Sequence, residues 1–222
     1  MNRYRSSQPA ASRRGHARGR ALGLLVGAAL ISIAAVSMAD DPPKTDTAPP
    51  AAAPTPATPE QQQAARAAFA DVYKVLQSPR CMNCHPDGDR PLQTDNSRPH
   101  KMNISRLSAE SGLPCSSCHQ EHNSERVGVA SGPPGAPHWG LPPAETPMIF
   151  QGRSPRALCE QLNDPVHTGG RSLADLLHHV GHDALVLWGW KPGGERTVPP
   201  ISHEQFVASF STWVTGGGAC PE

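Results

Sequence analysis

Two runs constrain this chain more than anything else in it: Cys81-Met82-Asn83-Cys84-His85 and, 34 positions on, Cys115-Ser116-Ser117-Cys118-His119. A C-x-x-C pair serves three chemistries: a redox-active disulfide, half of a zinc site, or covalent attachment of haem. Together the two pairs could supply four thiolates to a tetrahedral zinc ion. Zinc and disulfide chemistry both leave the histidine after each pair unexplained. Haem attachment uses all five positions, because two thiols about one turn apart form thioethers with the porphyrin and the next imidazole reaches the iron. The expectation is therefore two haem c groups. One sits on Cys81 and Cys84 with His85 as proximal ligand, the other on Cys115 and Cys118 with His119.

The N-terminus bears on the same choice. Residues 1–20 are basic without an acid, and residues 21–39 are uncharged and mostly apolar, ending Ser37-Met38-Ala39. This is the layout of a secretory signal cut after Ala39, with an uncleaved membrane anchor as the alternative. The Arg13-Arg14 pair lacks the apolar residues that follow the arginines of a twin-arginine signal. Residues 40–61 are rich in Pro, Ala and Thr with no large apolar side chain, and read as a disordered linker. Residues 62–222 then carry the domain. Export to the periplasm oxidises unpaired thiols, which weighs against an all-thiolate zinc site. It also gives Cys159 and Cys220, left over from the two motifs, reason to form a disulfide. The net charge is +1 with no Lys/Arg cluster beyond the signal, so nothing points to a nucleic-acid partner. Membrane contact is expected only if the signal stays uncleaved.

With 25 prolines and 5% aromatic residues, the chain is poorly equipped for an ordinary core, and two apolar macrocycles would supply one. The 34-position spacing leaves no room for two single-haem domains in tandem, so both haems are expected in one small fold, close together. Helical signals are clear at four places. Residues 64–77 put Ala65, Phe69, Val72 and Leu76 on one face; 154–162 start with Ser-Pro; 171–183 and 202–218 open with capping boxes, the last ending in glycines. Long Pro/Gly loops fill 132–147 and 188–200, and no strand pattern is convincing. The fold class is mostly α with extensive coil, a few short helices packed around two covalently bound haems.

Each iron also takes a sixth ligand, and His or Met there sets its potential. His100, in a loop between the motifs, is expected to fold over the first haem, with Met102 as local competitor. On the 171–183 helix the apolar face runs through Leu173, Leu176, Leu177 and Val180, and His179 is the histidine that borders it. His179 is therefore the expected second distal ligand, with His182 the better choice if haem docks on the polar side. His122, His138 and His178 also remain open. Trp139, Trp188 and Trp190 are assigned no role.

Several stretches carry a family resemblance: "FADVYKVLQSPRCMNCHPDGDRPLQ", "RPHKMNISR", "GLPCSSCHQEHN", "PGAPHWGLPP", "LVLWGWKPG" and "FVASFSTWVTGGGACPE". The chain after the linker resembles a bacterial family of small dihaem c-type cytochromes often labelled isoquinoline oxidoreductase subunits. That resemblance implies an electron carrier serving redox partner proteins, among them a periplasmic molybdenum hydroxylase, and it aligns His100 and His179 with the family's histidine-bearing stretches. His178 and His182 are additions to its pattern. The reading is thus a dihaem carrier with no further chemistry. A small peroxidase-like haem enzyme, with one open iron, is the alternative.

Overall fold

The computed structural model describes residues 56–124 and 132–222; the signal, most of the linker and residues 125–131 lie outside them. The described part is mostly helix and coil. Helix α1 spans Pro59–Leu76, so it starts three residues inside the stretch read as linker. The reason is local: Thr58 and Gln61 close a capping box and Pro59 fills the first helical position, a start signal that outweighs the Pro/Ala composition around it. A single turn, α2 (Pro79–Met82), carries the first motif. It leads to a hairpin of two-residue strands, β1 (Leu92–Gln93) and β2 (Arg98–Pro99), paired Leu92↔Pro99 and Gln93↔Arg98. Neither strand shows in the sequence, since two residues carry no alternation.

A 3-10 turn (Lys101–Asn103), helix α3 (Arg106–Glu110) and a second 3-10 turn (Cys115–Ser117) follow. The C-terminal part is α4 (Pro155–Asn163), α5 (Pro165–Thr168), α6 (Leu173–His182), α7 (Ala184–Trp188) and α8 (His203–Thr215). Helices α4, α6 and α8 start at Ser154, Ser172 and Ser202, where the caps were expected. The capping boxes Ser172/Asp175 and Ser202/Gln205 are both formed.

These helices make a core of their own. Ala65, Phe69, Val72 and Leu76 face inward from α1 as their spacing requires, against Phe206, Phe210 and Trp213 of α8. Phe69 and Trp213 meet at 5.3 Å between ring centroids, and Phe210 and Trp213 at 5.1 Å. Gly216 lets α8 end against α1, because a Cβ there would collide with the Cβ of Ala65 and the carbonyl of Gln61. Leu158 and Leu162 of α4 and Leu176 and Val180 of α6 complete the cluster. The Cys159–Cys220 disulfide ties α4 to the C-terminal tail, across a separation of 61 residues. Residues 77–147 differ: among the described ones, Ala136 is the single buried hydrophobic. The expected shortage of core is thus confined to the segment that holds both motifs. No helix among the described residues is long and apolar enough to cross a membrane.

Candidate functional site

The first motif is one helical turn and its continuation. Cys84 N–H donates to the Cys81 carbonyl (3.1 Å) and His85 N–H to that of Met82 (3.0 Å), which puts both thiols and the imidazole on consecutive turns of backbone. The hairpin is pinned to it by Leu92 N–H on the Asn83 carbonyl and by Asn83 Nδ2 on the Thr94 carbonyl, each at 2.9 Å. His85 Nδ1 donates to the Met148 carbonyl at 2.7 Å, and its ring stacks on Phe150 at 3.9 Å and 14°. The loop that supplies both groups is held by Phe150 and Gln151 N–H donating back to the His85 carbonyl. Burial pulls His85 down to about 4, against the opposing Met148 hydrogen bond, with the nearby charges of His179 and Arg106 adding to the fall. The imidazole is therefore neutral, with Nε2 carrying the free lone pair.

The second motif repeats this device on a 3-10 turn. Cys118 and His119 N–H both donate to the Cys115 carbonyl (3.2 and 2.9 Å). His119 Nδ1 donates to the Pro134 carbonyl at 2.7 Å, and its ring stacks on Trp139 at 4.7 Å and 6°. Burial again lowers its pKa. A ring N–H given to a backbone carbonyl fixes the tautomer and turns the other nitrogen outward, the usual setting of a metal-ligating histidine.

The four motif cysteines are free, while Cys159 and Cys220 are bonded. Burial pushes the Cys81 thiol up to about 12 and that of Cys84 up to about 11. Redox-active C-x-x-C pairs depend on the opposite shift, a lowered thiol pKa. Cys115 lies near enough to Cys84 to disfavour its thiolate, so the two motifs adjoin. Among the described residues no three His, Cys, Asp or Glu side chains converge on a metal position, as a four-thiolate zinc site would require. A haem iron asks for less, two protein ligands on opposite sides.

The imidazole beside His119 is not the one expected there from sequence. His100 does not sit over the first motif. It lies beside His119, with ring centroids 6.0 Å apart and planes at 63°. Two imidazoles on opposite sides of one metal ion, each with a metal–nitrogen bond of about 2 Å, have centroids about 6 Å apart. His100 Nδ1 donates to the Lys101 carbonyl at 2.7 Å, which again frees Nε2. The hairpin places it: His100 N–H is held on the Pro91 carbonyl, after a turn between β1 and β2 with Thr94 and Ser97 at positive φ. His179 is placed so that its charge disfavours protonation of His85. Its Nδ1 faces the Asp183 carboxylate at 3.6 Å, and burial lowers its pKa.

The other candidates are placed elsewhere. His122 and His138 are exposed. His178 and His182 stack on each other at 4.6 Å on the outer side of α6, where a cleft of about 400 Å³ runs past Arg171 and His179. His167 is bonded to Asp164, and His203 to the Val180 carbonyl. Met102 is 81% exposed, and the Met148 sulfur accepts from Gln161.

The residues present fit haem in their donor set: two thiols and an imidazole per motif, and at the second motif a further imidazole 6.0 Å from the first. Three buried polar atoms at the first motif, Ser78 Oγ, Arg80 Nε and Asn83 Oδ1, have no hydrogen-bond partner among the described residues. Sequence reasoning did not single out Arg80, Phe150 or Pro134, weighed Met148 only as a ligand through its sulfur, and left Trp139 and Trp188 without a role. Carbonyl partners and stacks made from 15 to 65 residues away carry no local signal. The scarcity of aromatics was the one available clue for the tryptophans. No family model, curated protein or solved structure matches this chain.

Proposed function

We propose that the chain is an exported dihaem c-type cytochrome that carries electrons. Cys81, Cys84 and His85, with His179 as sixth ligand, would hold one haem. Cys115, Cys118 and His119, with His100, would hold the other. Bound there, the iron supplies a one-electron Fe(III)/Fe(II) couple. The chain's own residues do the rest. Backbone carbonyls of Met148, Pro134 and Lys101 fix three imidazole tautomers, Phe150 and Trp139 clamp the proximal rings, and the second imidazole at each motif denies the open position that peroxide chemistry needs.

The observation that carries the reading is that His119 has a further imidazole, that of His100, 6.0 Å away, while His85 is buried and neutral with His179 near enough for its charge to count. This favours a carrier over the peroxidase-like alternative. Proximity of Cys84 to Cys115 supports electron passage between adjoining sites. A periplasmic dehydrogenase or hydroxylase, the molybdenum enzyme of the resembling family included, is the proposed donor class.

The test uses the exported chain with Cys115 and Cys118 both changed to Ala, so that haem attaches only at the first motif. In that background His179→Ala converts the iron to high spin by electron paramagnetic resonance, while His100→Ala leaves it low spin. The opposite outcome restores the uncrossed pairing. A wild-type protein with one high-spin iron that reacts with peroxide establishes the enzyme instead.

A further inference from the structure

Arg80 is the most deeply buried charge beside the first motif. Its side chain is 3% exposed and precedes Cys81 directly. One nitrogen, Nη2, reaches Asp95 Oδ1 at 2.6 Å, while Nε has no partner among the described residues. The guanidinium lies 5.8 Å from the centre of the Trp188 ring. Trp188 meets Trp139 edge-on at 4.8 Å, and Trp139 stacks on His119, so Arg80 heads an aromatic chain running from the first motif to the second. Asp95 is a partial counter-charge: it is 35% exposed, and its other oxygen accepts from Thr197 N–H. Arg196 lies near enough to add repulsion, not relief. Burial pulls the guanidinium below its ordinary value, with Asp95 and the motif thiols opposing. Burying a charge with incomplete pairing costs several kcal/mol, so stability alone does not account for an arginine here.

We propose that Arg80 sets the potential of the first haem, its buried positive charge favouring the ferrous over the ferric state, with Asp95 as the opposing trim. The proposal rests on the dihaem reading above. When an electrode supplies one electron, ferric iron becomes ferrous and the site loses one unit of positive charge, while Arg80 stays charged throughout. Removing a neighbouring cation therefore makes reduction harder, and removing the anion makes it easier. A unit charge within about 12 Å, at an effective dielectric of about 20, changes such an equilibrium about tenfold.

The experiment is a spectroelectrochemical titration of the full exported protein, after intact mass and spectra have established two covalent low-spin haems. Lack of those haems overturns the cytochrome reading itself. With them present, Arg80→Met lowers one of the two one-electron midpoints by about tenfold in the ferrous-to-ferric ratio, 59 mV for a one-electron couple. Asp95→Asn raises the same midpoint, and Arg80→Lys restores most of the loss. A purely structural role would move Arg80→Met and Asp95→Asn in the same direction. That outcome, or an Asp95→Asn protein whose midpoint is unchanged or lowered, overturns the proposal. If Arg80→Met yields no haem-loaded protein, the Asp95→Asn midpoint decides by the same rule.

Discussion

Reducing the Cys159–Cys220 disulfide separates the two classes of cysteine in this chain by chemistry alone. The bond closes a separation of 61 residues between the buried Cys159 of α4 and the tail beyond α8. In the chain-entropy account, a loop of that length restricts the unfolded state by about 4 kcal/mol. For a domain of this size that is worth roughly 10 °C in melting temperature. Hydrogen bonds from Asn163 Nδ2 to the Cys159 and Gly218 carbonyls hold the same junction and survive reduction, so the native geometry changes little and the loss falls on the unfolded state. The assay is helix content by circular dichroism against temperature, with and without a phosphine reductant, together with a thiol count in denaturant. Thioethers resist the reductant, so no thiol is counted before reduction and two after it, those of Cys159 and Cys220. A melting temperature that falls by less than about 2 °C would refute the loop-closure argument. More than two thiols would show that the motif cysteines are not in haem bonds.

Gly216→Ala forces α8 away from Ala65 and the Gln61 carbonyl and destabilises by about 3 kcal/mol, measured by urea unfolding. Ser172→Ala removes the hydroxyl that caps the helix and bonds the Asp175 carboxylate, leaving the backbone N–H bond to Asp175, and the lost cap costs about 1 kcal/mol in the same measurement. Because Asp175 is depressed in the fold, its contribution is present above the carboxylate's ordinary value, near 3.8, and is lost as pH falls through the folded value. The wild-type advantage over Ser172→Ala should thus shrink below pH 4 and be constant from pH 5 to 8. Trp139→Ala removes the ring stacked on His119 and should speed cyanide binding at one iron but not the other, followed by absorption.

What could be read from the residues divides along a physical line. Helices α4, α6 and α8 announce themselves through their caps, which the structure has at Ser154, Ser172 and Ser202, while α1 shows by its apolar period alone and its cap at Thr58 is hidden in Pro/Ala-rich sequence. Cys159 and Cys220 are the two cysteines outside the C-x-x-C-H runs, and they pair as that remainder suggests. The short elements α2, α3, α5, α7 and the two strands have too few residues for a period to show. His100 misleads for a related reason. It stands 15 positions after His85 and 19 before His119, so proximity in sequence favours the first motif, whereas its ring lies beside His119 of the second. Its direction depends on a hairpin fixed by Asn83, Pro91 and two positive-φ turn residues. Arg80 reads in sequence as a surface charge, and its burial follows from Trp188 and Asp95, contributed by distant segments.

The central claim, that both C-x-x-C-H runs carry covalent haem, is tested most directly by the intact mass of the exported, denatured protein. The account predicts the mature polypeptide plus two haems, bound through Cys81 and Cys84 and through Cys115 and Cys118. A mass equal to the polypeptide alone, or to the polypeptide plus zinc, would contradict it.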